Sequence, residues 1–154
     1  MKKNILIIGK NSFLASGIYE RFSLNKNLNI TLVNHSNLPS CYKNFDWVVN
    51  CAFNSSLYSQ PITDKNNFDI KVIREIKNNK NIKYVLLSSR AVYGSHETLM
   101  MYDESFEAEE SLITQYGLNK LACEKMALSE LSSSRVLICR CSNIFGFERG
   151  NNFV

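Results

Sequence analysis

Tyr116 and Lys120, in the stretch QYGLNK (115–120), place a phenol four residues before an ammonium. On a helix, positions i and i+4 project from one face, roughly 5–6 Å apart at Cβ. The pair would then set a proton-exchanging hydroxyl beside a fixed positive charge. A free phenol titrates near about 10, and an adjacent cation favours its ionised form, which is what acid–base work at neutral pH asks of a tyrosine. Two solvated side chains on an exposed helical stripe would read the same way in isolation.

Other polar residues fall where an α/β fold puts its ligands. In GKNSFLA (9–15), Gly9 permits a tight turn, Ser12 stands where a glycine often lets the backbone approach a ligand, and Ala15 is small enough for helix to meet strand. A helix N-terminus at that place attracts phosphate; an ordinary turn with Ser12 near the N-cap is the plainer alternative. In LLSSRAVYG (86–94) the Ser89 hydroxyl could hydrogen-bond a substrate oxygen, or simply end a strand before a turn at Gly94. In RCSNIFG (140–146) Asn143 could contact a ligand or cap a turn. Singly each motif is weak, but all of them converge on one sheet edge.

The elements that must position these residues are short apolar runs alternating with helical stretches. Strands are expected over 4–9, 29–33, 46–52, 82–89 and 135–140, and helices over 12–24, 63–79 and 114–131. Strands joined by crossover helices imply a mainly parallel sheet covered on both faces. Only about a dozen residues separate the second and third strands, so one crossover unit is shortened or lost. The segment 90–113 is long, polar and without a strong period, as functional loops often are.

At 154 residues, 45% hydrophobic and 21% charged, the chain reads as one globular domain. A net charge of +4, spread out, argues against nucleic-acid binding. Cys41, Cys51, Cys123, Cys139 and Cys141 lack C-x-x-C spacing and have only His35 and His96 for company, which argues against a metal site and for reduced thiols in the cytoplasm. The apolar run Ile5–Ile8 is too short for a signal peptide, and no stretch is long enough to span a membrane.

Taken together, the motifs resemble those of the extended short-chain dehydrogenases/reductases, the NAD-dependent epimerase/dehydratase family acting mostly on nucleotide sugars. ILIIGKNSFLASGI is similar to the family's Gly-rich turn, VVNCAF to its fourth-strand motif and SSRAVYG to its Ser-containing strand end. YGLNK is similar to the catalytic Tyr-x-x-x-Lys, and RCSNIFG to the Arg-x-x-Asn loop that follows, in register over essentially the whole chain. The resemblance implies a Rossmann-type doubly wound α/β sheet over 1–154 and an NAD(P) cofactor. The implied catalytic set is Ser89, Tyr116 and Lys120, with Ser89 and Asn143 on the substrate. The implied cofactor contacts are Gly9, Lys10, Ser12, Phe13 and Leu14; Asn34, His35 and Ser36; Cys51, Ala52 and Phe53; and Ser88, Tyr116 and Lys120.

Departures from the family pattern narrow the chemistry. Arg90 and Ala91 follow Ser89 where family dehydratases carry an acidic pair, and Ala91 stands where some epimerase-reductases carry Cys. What remains is 4-epimerase or keto-reductase chemistry, expected in surface polysaccharide synthesis. No carboxylate lies between Asn25 and Asp46, where an NAD-specific site presents one to the adenine ribose, so NADP(H) is slightly favoured over NAD(H). The family's smaller substrate domain is largely absent from a chain that stops at Val154, so this form is expected to bind dinucleotide weakly without turning over a nucleotide sugar. A non-catalytic dinucleotide-binding module or regulatory subunit is the alternative. A homodimer through helices 63–79 and 114–131 is expected from the resemblance, with Leu118, Leu121, Cys123 and Met126 as surplus apolar surface.

Overall fold

The computed structural model describes residues 2–95 and 102–144. Five strands, β1 (Lys3–Ile8), β2 (Leu28–Val33), β3 (Trp47–Asn50), β4 (Lys83–Ser89) and β5 (Val136–Cys141), form one sheet in the order β2-β1-β3-β4-β5. Every pairing is parallel. Three helices accompany it, α1 (Phe13–Phe22), α2 (Phe68–Ile76) and α3 (Gln115–Glu130). The chain leaves β1 towards β2 on one side and returns to β3 on the other, so the C-terminal ends of β1 and β3 border the crevice of a doubly wound sheet.

Strict alternation along the strands divides the core in two. Leu6, Ile8, Val48, Tyr84 and Leu86 face Val72, Ile73 and Ile76 of α2 and Cys123, Ala127 and Leu131 in and just after α3. Ile7 and Val49, with Ile5, Ile30, Leu32 and Val85, face Ala15 and Ile18 of α1. Both faces are therefore apolar, as parallel sheets require. The link from β2 to β3 crosses β1 without a helix, as its length implies.

Element ends differ from the sequence expectation where side chains cap. The helix expected over 63–79 begins only at Phe68, because Asn67 caps it through Ile70 N–H. Thr63 and Asn66 bond each other's backbone N–H groups in a separate turn before it, at 2.7 and 3.3 Å. The third strand, expected over 46–52, stops at Asn50, whose side-chain oxygen takes the Ala52 N–H at 3.0 Å and turns the chain into the crevice. Cys123 is 1% exposed and belongs to the core, so it adds nothing to an outer surface. Leu118, Leu121 and Met126 are half-buried, and Leu128 is exposed.

Candidate functional site

The first turn of the site follows β1. Gly9 adopts φ +103°, and a Cβ there would meet Ala52 N at 2.8 Å and Cys51 C at 2.9 Å. Only glycine lets this turn lie against the end of β3. Ser12 then caps α1 by accepting from Ala15 N–H, and Ser12, Phe13 and Leu14 border a hollow of about 220 Å³. The positive end of the α1 dipole thus points at the crevice.

The far wall comes from β4 and α3. Thr114 caps α3 through Gly117 N–H, leaving Tyr116 and Lys120 on the face turned towards β4. Lys120, 8% exposed, donates from Nζ to Leu87 O at 2.7 Å. Its ammonium lies 5.9 Å from the Tyr116 ring centre and 5.3 Å from that of Phe53. The ammonium thus packs against two ring faces and a carbonyl oxygen, all of which attract a cation. Ser89 ends β4 and caps the following 3-10 turn (Arg90–Tyr93) by accepting from Ala91 N–H.

Lys120, Tyr116, Ser88 and Ser89 all line the first hollow, together with Cys51, Ala52 and Phe53. A second hollow of about 280 Å³ is bounded by Ser89, Arg90, Ala91, Gly94, Ser95, Thr114, Tyr116, Ser142 and Asn143. A third, about 330 Å³, reaches outward past Gly9, Ser12, Asn34, His35 and Ser36. Ser89 and Tyr116 border both the first and the second, so the phenol and hydroxyl stand where two compartments meet. Among the described residues no Asp or Glu lines any of the three.

Of the residues singled out in the sequence, only Lys10 lies away from these hollows; it is exposed, with its carbonyl accepting from Ser16. Ser88 borders the first hollow, but its hydroxyl donates to buried Glu124 instead of facing a ligand. His35 packs at a tilt against Phe68, centroids 4.4 Å apart, with Lys71 on the same ring. His96 falls outside the described residues, as do the last residues of RCSNIFG. Among the described residues no group of three His, Cys, Asp or Glu could hold a metal ion. No helix among them is long and apolar enough to cross a membrane.

Three supports were not recognised in the sequence. Glu124 continues the Tyr116–Lys120 stripe by one more turn and receives Arg140 through Nε at 3.2 Å and a second nitrogen at 2.8 Å. That carboxylate holds the Arg140 guanidinium above its ordinary range, chiefly through the hydrogen bond. The stripe spacing alone could have pointed to Glu124. Asn119, buried between the two site residues, donates to Leu57 O and Gln60 O at 2.8 Å each and accepts from Ile62 N–H. It pins the 53–62 segment to α3, so Tyr58 and Phe53 meet the Tyr116 ring at 5.1 and 5.4 Å. Asn50 donates to Asp69 at 2.7 Å, fixing the turn at 51–53 from below. Burial, with Asp69 and Cys141 adding to it, pushes the Cys51 thiol up to about 12.

The model of the NAD dependent epimerase/dehydratase family matches residues 18–154. Comparison with curated proteins gives no match by sequence. Among solved structures, UDP-N-acetylglucosamine 4-epimerase from Methanobrevibacter ruminantium M1, in complex with UDP-N-acetylmuramic acid, superposes with a TM-score of 0.74 at 24% identity, over 99% of this chain and 59% of its own. dTDP-4-dehydrorhamnose reductase from Bacillus anthracis, in complex with NADP, gives 0.74 at 21% identity, over 99% and 57%. The capsular polysaccharide assembling protein CapF from Staphylococcus aureus gives 0.67 at 19%, over 97% and 38%. At such identities the likeness establishes the Rossmann-type fold, and the chain spans under two thirds of each neighbour.

Proposed function

The chain belongs to the NAD dependent epimerase/dehydratase family, and from that premise we propose that it serves NAD(P)-dependent epimerase or keto-reductase chemistry on a nucleotide sugar. The observation that carries this reading is the meeting of two carboxylate-free hollows at Ser89 and Tyr116, with Lys120 alongside. The residues present fit a dinucleotide. The Gly9 turn leaves no room for a side chain, the α1 N-terminus faces the crevice, and among the described residues no carboxylate lines it to repel phosphate.

When bound, the nicotinamide supplies or accepts a hydride at a sugar carbon. Tyr116 holds the proton that the sugar oxygen gains in reduction and takes it back in oxidation, while the Ser89 hydroxyl orients that oxygen. Lys120 sets its ammonium beside the phenol and, from its buried place under Phe53, would hold the nicotinamide ribose. Gly9, Ser12, Phe13 and Leu14 would hold the pyrophosphate, Asn34, His35 and Ser36 the adenosine end, and Cys51, Ala52 and Phe53 would form the floor between. Asn143 contacts the sugar from the second hollow.

With no carboxylate along Asn34, His35 and Ser36, and with His35 held on Phe68, NADP(H) is slightly favoured over NAD(H). A cytoplasmic place in surface polysaccharide synthesis and a homodimer through α2 and α3 complete the reading; the half-buried Leu118, Leu121 and Met126 and the exposed Leu128 support the dimer alone. The test pairs dinucleotide titration with a nucleotide-sugar turnover screen, both run on the longest natural form of the protein. Tyr116→Phe should abolish turnover and leave dinucleotide affinity within about twofold, whereas Lys120→Ala should lower both. Near-wild-type turnover by Tyr116→Phe would refute the catalytic assignment. Dinucleotide binding by that longest form without turnover of any sugar would instead favour a binding module or regulatory subunit.

A further inference from the structure

Arg90 is the first residue after β4 and shares its hollow with Ser89, assigned to orienting the sugar oxygen, and Tyr116, assigned to proton transfer. Three other arginines are engaged: Arg74 with Asp64, Arg140 with Glu124, and Arg135 with the carbonyls of Ile76, Lys77 and Ile82. Arg90 is exposed and, among the described residues, makes no side-chain hydrogen bond or ion pair. Among the described residues it brings the sole formal charge to the lining of that hollow.

The turn that carries it is held from two sides. A Cβ on Gly117 of α3 would collide with Ala91 O, so helix and turn already touch. Gly94, at φ +75°, closes the turn against Leu112, and Ser95 N–H bonds Leu112 O at 2.9 Å. The root of Arg90 is thus fixed relative to Tyr116, while its guanidinium remains uncommitted. A guanidinium presents a planar fork that suits carboxylate and phosphate oxygens. At an exposed site such a contact is weak by itself, but a sugar held between Ser89, Tyr116 and Asn143 would bring its anionic substituent there already localised.

We infer that Arg90 forms an anion subsite beside Ser89 and Tyr116, one that takes a carboxylate or phosphate group carried on the substrate sugar. This rests on the sugar-directed reading above and adds the charge of the sugar to it. The two sources share their chemistry and differ in where the charge is attached.

The test uses the chain saturated with dinucleotide and three probes at millimolar concentration, followed by ligand-observed NMR: methyl glucuronide, glucose 1-phosphate and methyl glucoside. At least one charged probe should bind about tenfold tighter than the neutral one, the contribution of a charge-assisted hydrogen bond. Which of the two does so names the source. Arg90→Gln should bring all three within about twofold, and Arg90→Lys should keep part of the preference. Because Arg90 is exposed, neither variant threatens folding, which circular dichroism verifies. Equal binding of charged and neutral probes, or a charge preference that survives Arg90→Gln, overturns this inference and leaves the sugar reading standing. Binding of the dinucleotide but of no saccharide overturns both.

Discussion

Gly17 and Gly117 are both interior helical glycines, yet the structure assigns their alanine variants opposite signs. Gly117 directly follows Tyr116, and an added Cβ would collide with Ala91 O, with Ile113 Cγ2 at 2.6 Å and with Ala91 C at 2.9 Å. Two of these neighbours are backbone atoms, so relief requires α3 and the Arg90–Tyr93 turn to separate. Such overpacking costs about 1–3 kcal/mol, against a helix-propensity gain of at most about 1 kcal/mol. At Gly17 an added Cβ meets nothing within 4 Å, so only the propensity gain operates. For a domain of this size 1 kcal/mol shifts Tm by about 2–4 °C. Gly17→Ala should therefore raise Tm by roughly 2–4 °C, and Gly117→Ala should lower it by a similar or larger amount. Thermal unfolding by circular dichroism reads both. Because the same separation would part Ser89 from Tyr116, Gly117→Ala should also lower turnover where Gly17→Ala does not. A Tm that rises in both variants would refute the close approach of α3 to the turn, and with it the placement of Tyr116.

Glu124→Ala strips buried Ser88 and the Arg140 guanidinium of their shared partner, so urea unfolding should register a loss of about 3 kcal/mol; a loss below about 1 kcal/mol would mean that the pair is solvated. Burial pushes the Cys51 and Cys123 thiols up to about 12, so at pH 7.5 the reactive thiolate is scarce at both. Exposed Cys41 should be alkylated first, and Cys51 should become reactive only as pH rises towards that value; mass spectrometry of time points checks the order. Titration of both dinucleotides should favour NADP(H) slightly, and a tenfold preference for NAD(H), about 1.4 kcal/mol, would overturn that reading.

Much of the fold was legible because its signals are local. Ile5–Ile8, Val48–Val49 and Leu86–Leu87 are continuous apolar runs, which a parallel sheet buried on both faces demands. The Tyr116–Lys120 spacing needs only the 3.6-residue turn of a helix to put both groups on one side. Gly9 announced its turn because no other residue adopts φ +103° without strain. Even the missing crossover helix between β2 and β3 followed from the length of the chain between them.

What the tertiary structure decided is which polar residue meets which. Asn66 and Asn67 look like two more polar residues in a helical stretch, yet one closes a turn and the other starts α2. Asn119 sits in the same QYGLNK stretch as the site residues and would pass for a solvated side chain. Its four hydrogen bonds to Leu57, Gln60, Ile62 and Gln115 make it the clamp that sets Tyr58 and Phe53 beside Tyr116. Ser88, Glu124 and Arg140 come from β4, α3 and β5, and only the packing of α3 across the sheet brings them together. Periodicity is a property of one element's backbone and can be read residue by residue. Pairing across elements depends on how far each helix slides and rotates on the sheet, which the summed packing of apolar faces sets and no single stretch of sequence encodes.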